Sequence, residues 1–175
     1  VLFSGLSSAA KVGGVSLPET LTAGDQTLML NGAGIRKKLF IKLYVGALYL
    51  QEKNNSGAAI SEVDAPMAIR LQIVSSLINS KKMEKATREG FENSTHDNTQ
   101  LVKTEIEQFI KVFRKPISKG DVYDLVYTPA GGTEVIKNKQ SITTVEGLAF
   151  KKALFGIWLS DRPAQENLKD GMLGR

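Results

Sequence analysis

The chain of 175 residues contains no cysteine, which removes disulfides, thiolate chemistry and zinc–thiolate sites from consideration. Its single histidine, His96, sits in the polar stretch Asn93-Ser94-Thr95-His96-Asp97-Asn98. A histidine so placed reads as solvent-facing, with no metal partners beside it in sequence. A serine triad needs a histidine base, and no G-x-S-x-G turn exists to pair with His96. Hydrolase chemistry of that kind is set aside, and neither a metal nor a cofactor is expected. No apolar run approaches the roughly 20 residues a membrane span requires, so stable membrane insertion is not expected. Repeats, low-complexity tracts and Pro/Gly/Ser-rich linkers are also lacking, which points to one domain.

What is present is ordinary for a globular protein: 42% apolar and 23% charged residues. Lys and Arg number 23 against 18 Asp and Glu, a net charge of +5. The excess is spread through separate RKK, KK and KNK clusters. Aromatic residues do not interleave with them as a base-stacking platform would require, so no nucleic-acid partner is expected. The oligomeric state is left open.

The first ten residues, Val1 to Ala10, are small and apolar and end in Ser8-Ala9-Ala10 before Lys11. This reads as the tail of a secretory apolar region with a small-x-small cleavage site, the alternative being a frayed terminus. Residues 1–10 are therefore expected to be a signal-peptide remnant and 11–175 the single domain. The expected location is periplasmic or secreted, in a bacterium.

Short strands are expected at Val15–Pro18 and Gln26–Leu30, the second ending at a turn through Asn31-Gly32-Ala33-Gly34. A long strand should follow over Leu39–Gln51, where every residue to Leu50 except Lys42 is apolar, aromatic or glycine. A short helix is expected near Ala58–Val63. Residues 67–74 alternate cleanly, with Met67, Ile69, Leu71 and Ile73 on one face. Asn79 or Ser80 should cap a helix through Lys82–Glu92. A second helix from Asn98 or Thr99 carries the stripe Val102, Ile106, Phe109, Ile110 and Phe113 and stops before Pro116. Strands Asp121–Tyr127 and Thr133–Ile136 flank the turn residues Pro129-Ala130-Gly131-Gly132, and Gln140–Val145 adds another. A helix striped by Ala149, Ala153, Leu154, Ile157 and Trp158, then a turn or two over Leu168–Leu173, close the chain. That order is α+β, without the regular alternation of a doubly wound sheet.

Arg36 stands at the mouth of the long apolar segment and Lys42 inside it. A guanidinium beside an apolar wall is suited to the anionic end of a largely apolar ligand. The alternative is a solvated basic turn, Arg36-Lys37-Lys38, closing a hairpin.

Two segments resemble the chalcone isomerase fold family, in its bacterial chalcone isomerase-like branch. One is Gly32-Ala33-Gly34-Ile35-Arg36 with Phe40-Ile41-Lys42 and Gly46-Ala47-Leu48-Tyr49-Leu50. The other runs from Leu154-Phe155-Gly156-Ile157-Trp158 through Ser160-Asp161-Arg162-Pro163 to Gly171-Met172-Leu173-Gly174. The resemblance implies an open-faced β-sandwich, a large antiparallel sheet with helices packed on one face and a ligand cleft between. It implies that Arg36 matches the arginine that holds the substrate phenolate in the plant enzymes, and that Asn93 matches an asparagine lining the cleft. Departures accompany it. The plant threonine that polarises the ketone is matched by Tyr44, a tyrosine upstream of the helix asparagine by Ala86, and a polar position on the late helix by Ile157 or Trp158.

If Arg36 to Tyr44 were one regular strand, the two residues would share a face but lie about 26 Å apart at about 3.3 Å per residue. A two-residue site then requires the chain to fold back at Gly34 or a β-bulge to intervene. The expected role is a non-catalytic binder of an apolar carboxylate such as a fatty acid, with Arg36, Lys42, Tyr44, Asn93, Ile157 and Trp158 at the ligand. The alternatives are an intramolecular lyase cyclising a phenolic enone, with Arg36, Tyr44 and Asn93 as catalytic residues, and a structural or regulatory partner protein.

Overall fold

A computed structural model describes residues 9–175. Residues 1–8 of the expected signal segment lie outside the described residues, while Ala10 opens the first strand. Ala10–Val12 (β1) and Val15–Leu17 (β2) form a small hairpin. Thr20–Ala23 (β3), Gln26–Lys38 (β4), Ile41–Leu50 (β5), Met67–Ile73 (β6), Val122–Thr128 (β7), Gly132–Lys137 (β8) and Gln140–Val145 (β9) build a seven-stranded antiparallel sheet. Each strand pairs with its neighbour in sequence, so the sheet is a continuous meander. Gly57–Glu62 (α1) lies between β5 and β6, and Ser80–Ser94 (α2) and Lys103–Ile110 (α3) between β6 and β7. Leu148–Leu159 (α4) and Glu166–Met172 (α5) follow β9.

The helices cover one face of the sheet. The alternation predicted for β6 places Met67, Ile69, Leu71 and Ile73 in one core with Tyr44 and Leu48 of β5 and Tyr123, Leu125 and Tyr127 of β7. The helices fill it with Phe91, Phe109 and Phe150, whose ring centroids are 5.7–6.0 Å apart, the spacing at which edge and tilted aromatic contacts are favourable. On the opposite face Val45, Ala47, Tyr49 and Ala68 pack with Val15 and Leu17 of β2. This is the open-faced sandwich with helices on one side that the sequence led us to expect.

The Asn79 carboxamide accepts the Lys82 amide at 2.9 Å and so caps α2. The helix expected from residue 98 onward is divided instead into a 3-10 turn over Thr99–Val102, α3, and a second 3-10 turn over Lys111–Arg114. Its apolar stripe from Val102 to Phe113 is buried as expected.

One expectation is overturned. Asn31-Gly32-Ala33-Gly34 is not a turn but the middle of β4, which runs unbroken from Gln26 to Lys38. The glycines serve a tertiary contact: α5 lies so close over the strand that a Cβ on Gly32 would stand 2.2 Å from the Gly171 carbonyl oxygen. Asn31 adds a lock, its side chain donating to the carbonyls of Asn54 and Met172 at 2.9 Å each. The true turn lies at Leu39-Phe40, with Leu39 in the left-handed region at φ 55°.

All four tyrosines of the chain, Tyr44, Tyr49, Tyr123 and Tyr127, are buried. Burial pushes Tyr49, Tyr123 and Tyr127 up to about 12, with Asp121 reinforcing the shift at Tyr123 and Asp64 at Tyr127. An unfolded tyrosine titrates near pH 10. Because the folded values are raised, this contribution to stability is complete below about pH 10 and is lost as pH climbs toward 12. Tyrosinate absorbance should therefore stay flat past pH 10, then rise together with loss of circular dichroism. An ordinary titration near pH 10 in a still-folded protein would contradict the burial described here.

Candidate functional site

Arg36 and Tyr44 are direct register partners across the β4–β5 hairpin. Such pairs hold their Cβ atoms roughly 4.5–5.5 Å apart, so the separation expected for a single strand does not exist. The chain folds back at Leu39-Phe40, and a register shift between Arg36 and Lys37 marks a bulge. The bulge breaks the alternation, so that Leu43, partly buried, packs against the same helix-side core as its neighbour Tyr44.

Tyr44 is buried, and its hydroxyl oxygen accepts a hydrogen bond from Trp158 Nε1 at 3.0 Å. That bond fixes the indole of α4 against the sheet and leaves the tyrosine's own proton free to donate. Burial raises the Tyr44 pKa above 10, outweighing the Trp158 bond and the Arg36 charge, which both act to lower it. The hydroxyl is therefore a donor at neutral pH.

Arg36 is half-buried, and Nη1 donates to the Gln165 side-chain oxygen at 3.0 Å and to the Lys37 carbonyl. Gln165 is the N-cap residue of α5. Its oxygen also accepts the Lys37 amide at 2.9 Å, and its nitrogen donates to the Ile35 carbonyl at 3.3 Å. One side chain thus clamps the strand on either side of Arg36. Among the described residues Nε and Nη2 of Arg36 have no protein acceptor, leaving a two-pronged donor edge of the shape that suits a carboxylate. Nothing local in the sequence marks Gln165, because its role depends on where α5 crosses β4.

The remaining candidates stand apart. Lys42 is exposed opposite Lys37, beyond the Arg36–Tyr44 pair toward the hairpin tip. Asn93 is exposed in the last turn of α2, so it does not line the space between helices and sheet. Ala86 is likewise exposed. Ile157 is buried but packs on α2, where a Cβ on Gly90 would lie 2.8 Å from its Cγ2. His96 is exposed and bonded to Asp161 at 3.0 Å. The structure therefore joins Arg36, Tyr44, Trp158 and Gln165, and separates Lys42, Asn93 and Ile157 from them. An open cleft of about 380 Å³ lies at the other end of β5, lined by Leu50, Ile60, Val63, Pro66 and Met67 among others.

A family model for chalcone isomerase-like proteins matches residues 9–174. The chain belongs to the chalcone isomerase-like family. No curated protein matches it by sequence. Among solved structures, the crystal structure of a fatty-acid binding protein from Arabidopsis thaliana matches with a TM-score of 0.72, over 94% of this chain and 95% of that one. The identity is 18%, so the likeness is one of fold. Within this family fold, the hairpin that carries Arg36 and Tyr44 and the helix that carries Trp158 meet at one end of the helix-covered face.

Proposed function

We propose that this chalcone isomerase-like protein is a non-catalytic binder of an apolar carboxylate such as a fatty acid. The observation that carries the reading is the Arg36–Tyr44 pair: a cation with an unused two-pronged edge beside a buried hydroxyl with an unused proton. A carboxylate accepts both at once, and three charge-assisted hydrogen bonds then oppose its desolvation. The apolar tail enters the hydrophobic core between the sheet and α4, and it shifts the indole of Trp158 as it does so. Fatty-acid binding by the Arabidopsis protein of the same fold supports the reading. With the export expected from residues 1–10, the ligand would be met in the periplasm.

Trp158 is the only tryptophan, so its emission reports directly on the site. Titration with a long-chain fatty acid should change that emission in a saturable manner. Arg36→Ala should weaken binding about tenfold to hundredfold, the effect of losing charge-assisted hydrogen bonds worth about 1.5–3 kcal/mol. Equal affinity in wild type and Arg36→Ala would rule out the anchor. Turnover of a chalcone, followed by visible absorbance and lost in Arg36→Ala, would replace binding by lyase chemistry.

A further inference from the structure

The tip of the β4–β5 hairpin is built against the ordinary preferences of a turn. Phe40 is 99% and Leu39 86% exposed, and Ile41 beside them is 42% exposed. Leu39 holds a φ of 55°, a region that glycine and asparagine occupy with less strain than a branched apolar residue. Folding therefore gains nothing from either side chain. Lys37, Lys38 and Lys42 surround this apolar knuckle, all exposed and none in an ion pair among the described residues. From Gln26 to Leu50 the hairpin has four basic residues and no acidic one.

The charge continues around the same end of the sheet. β6 ends there at Ile73, opposite Tyr44, and the loop before β7 returns to it through the Gly120 amide bonded to the Ile73 carbonyl at 2.8 Å. That loop carries Lys115 and Lys119, and its Asp121 is already engaged by Lys137 and Asn138. On the α5 side, exposed Glu166 follows Gln165, whose side chain bonds the Lys37 amide.

We infer that the Leu39-Phe40 tip docks on an anionic lipid bilayer, with the apolar knuckle in the headgroup–acyl boundary and the lysines against lipid phosphates. An exposed apolar patch ringed by charge marks an interaction surface, and uncompensated lysines near it favour anionic lipid. A knuckle of two or three side chains is far too small for a protein partner, since stable interfaces bury about 800 Å² on each side. A bilayer accepts such a point contact without a complementary surface. This docking is independent of the ligand reading. Where both hold, it sets Arg36 and Tyr44 at the level of the headgroups.

The test uses the full chain and vesicles of phosphatidylcholine, alone or with one lipid in three replaced by phosphatidylglycerol. Because the chain has no cysteine, Phe40→Cys can carry an environment-sensitive dye at the tip, and Leu101→Cys can carry it at a distant exposed apolar residue. The dye at position 40 should shift to the blue on the anionic vesicles, weaken on neutral ones and recover in high salt, while that at position 101 stays unshifted. Unlabelled Leu39→Ser/Phe40→Ser should lose at least tenfold in vesicle co-sedimentation at unchanged melting temperature. No blue shift on anionic vesicles, equal shifts at both positions, or unchanged co-sedimentation of the double variant would overturn the inference. So would a tip whose substitution changes only self-association in sedimentation velocity.

Discussion

Gly32→Ala should destabilise the protein by more than about 3 kcal/mol, the scale on which overpacking reaches its upper range. The added methyl would stand 2.2 Å from the Gly171 carbonyl oxygen, 2.8 Å from the Gly174 amide and 2.9 Å from the Met172 carbonyl. All three are backbone atoms, so no side chain can swing aside to make room. Relief requires α5 to lift off β4. The contact is reciprocal, since a Cβ on Gly171 would meet the Ala33 carbonyl at 2.5 Å. Gly14→Ala is the informative control: φ is +84° but nothing lies within 4 Å of the new carbon, so only backbone strain of about 1–2 kcal/mol is expected. Urea melts should separate the two variants clearly, and limited proteolysis should find the C-terminal helix exposed in Gly32→Ala alone. Because Gln165 stands at the N-cap position of α5 and its side chain holds Arg36, lifting the helix should also release the Arg36 clamp. A Gly32→Ala protein that melts with the wild type would contradict the close crossing.

Lys151→Met is the second large effect, again about 3 kcal/mol or more. Lys151 is fully buried in α4, yet its ammonium donates to the carbonyls of Ile60, Ser61 and Val63 at 2.8, 2.9 and 2.7 Å. These are the last carbonyls of α1 and the residue after it, the end of a helix that carries partial negative charge. The rings of Tyr127 and Phe155 lie 5.7 and 5.6 Å away, within cation–π range. Burial lowers the Lys151 pKa to about 8, helped by Lys152 and opposed by Asp64 and Glu62, so at neutral pH it stays charged with all three protons in use. Methionine fills the space but leaves three buried carbonyls bare, at about 1–3 kcal/mol for each group left unsatisfied. For a chain of this size the melting temperature should fall by roughly 10 °C. Lys152→Met, which removes an exposed ion pair to Glu62, should cost at most about 1 kcal/mol. Equal melting of the two variants would show that the carbonyl cage is unimportant.

These two sites also mark where sequence reading stops. The strand at Met67–Ile73, the stripe from Val102 to Phe113 and the Asn79 cap were legible because each depends on residues near one another in the chain. Glycines 32 and 34 read as a turn by the same local logic, but their purpose is to admit a helix some 140 residues later, a contact no local pattern encodes. The hairpin tip was hidden for the opposite reason: Leu39 and Phe40 carry no turn chemistry. Lys151 was in principle visible, since it falls in the same helical stripe as Leu154 and Trp158, where a charge must find buried partners. Of the site, Arg36, Tyr44 and Trp158 were identified and come together. Gln165 was invisible, and the Asn93 position, carried over by resemblance, lies on the solvent side of α2.

In the proposed site Arg36 recognises a carboxylate rather than merely an apolar chain. Calorimetric titration of wild type and Arg36→Ala with a fatty acid and with its methyl ester, identical in the tail, isolates that term. Wild type should prefer the acid by about tenfold or more, and Arg36→Ala should bind both with the weak affinity of the ester. Equal binding of acid and ester by the wild type, or an acid preference that survives in Arg36→Ala, would rule out Arg36 as the carboxylate anchor.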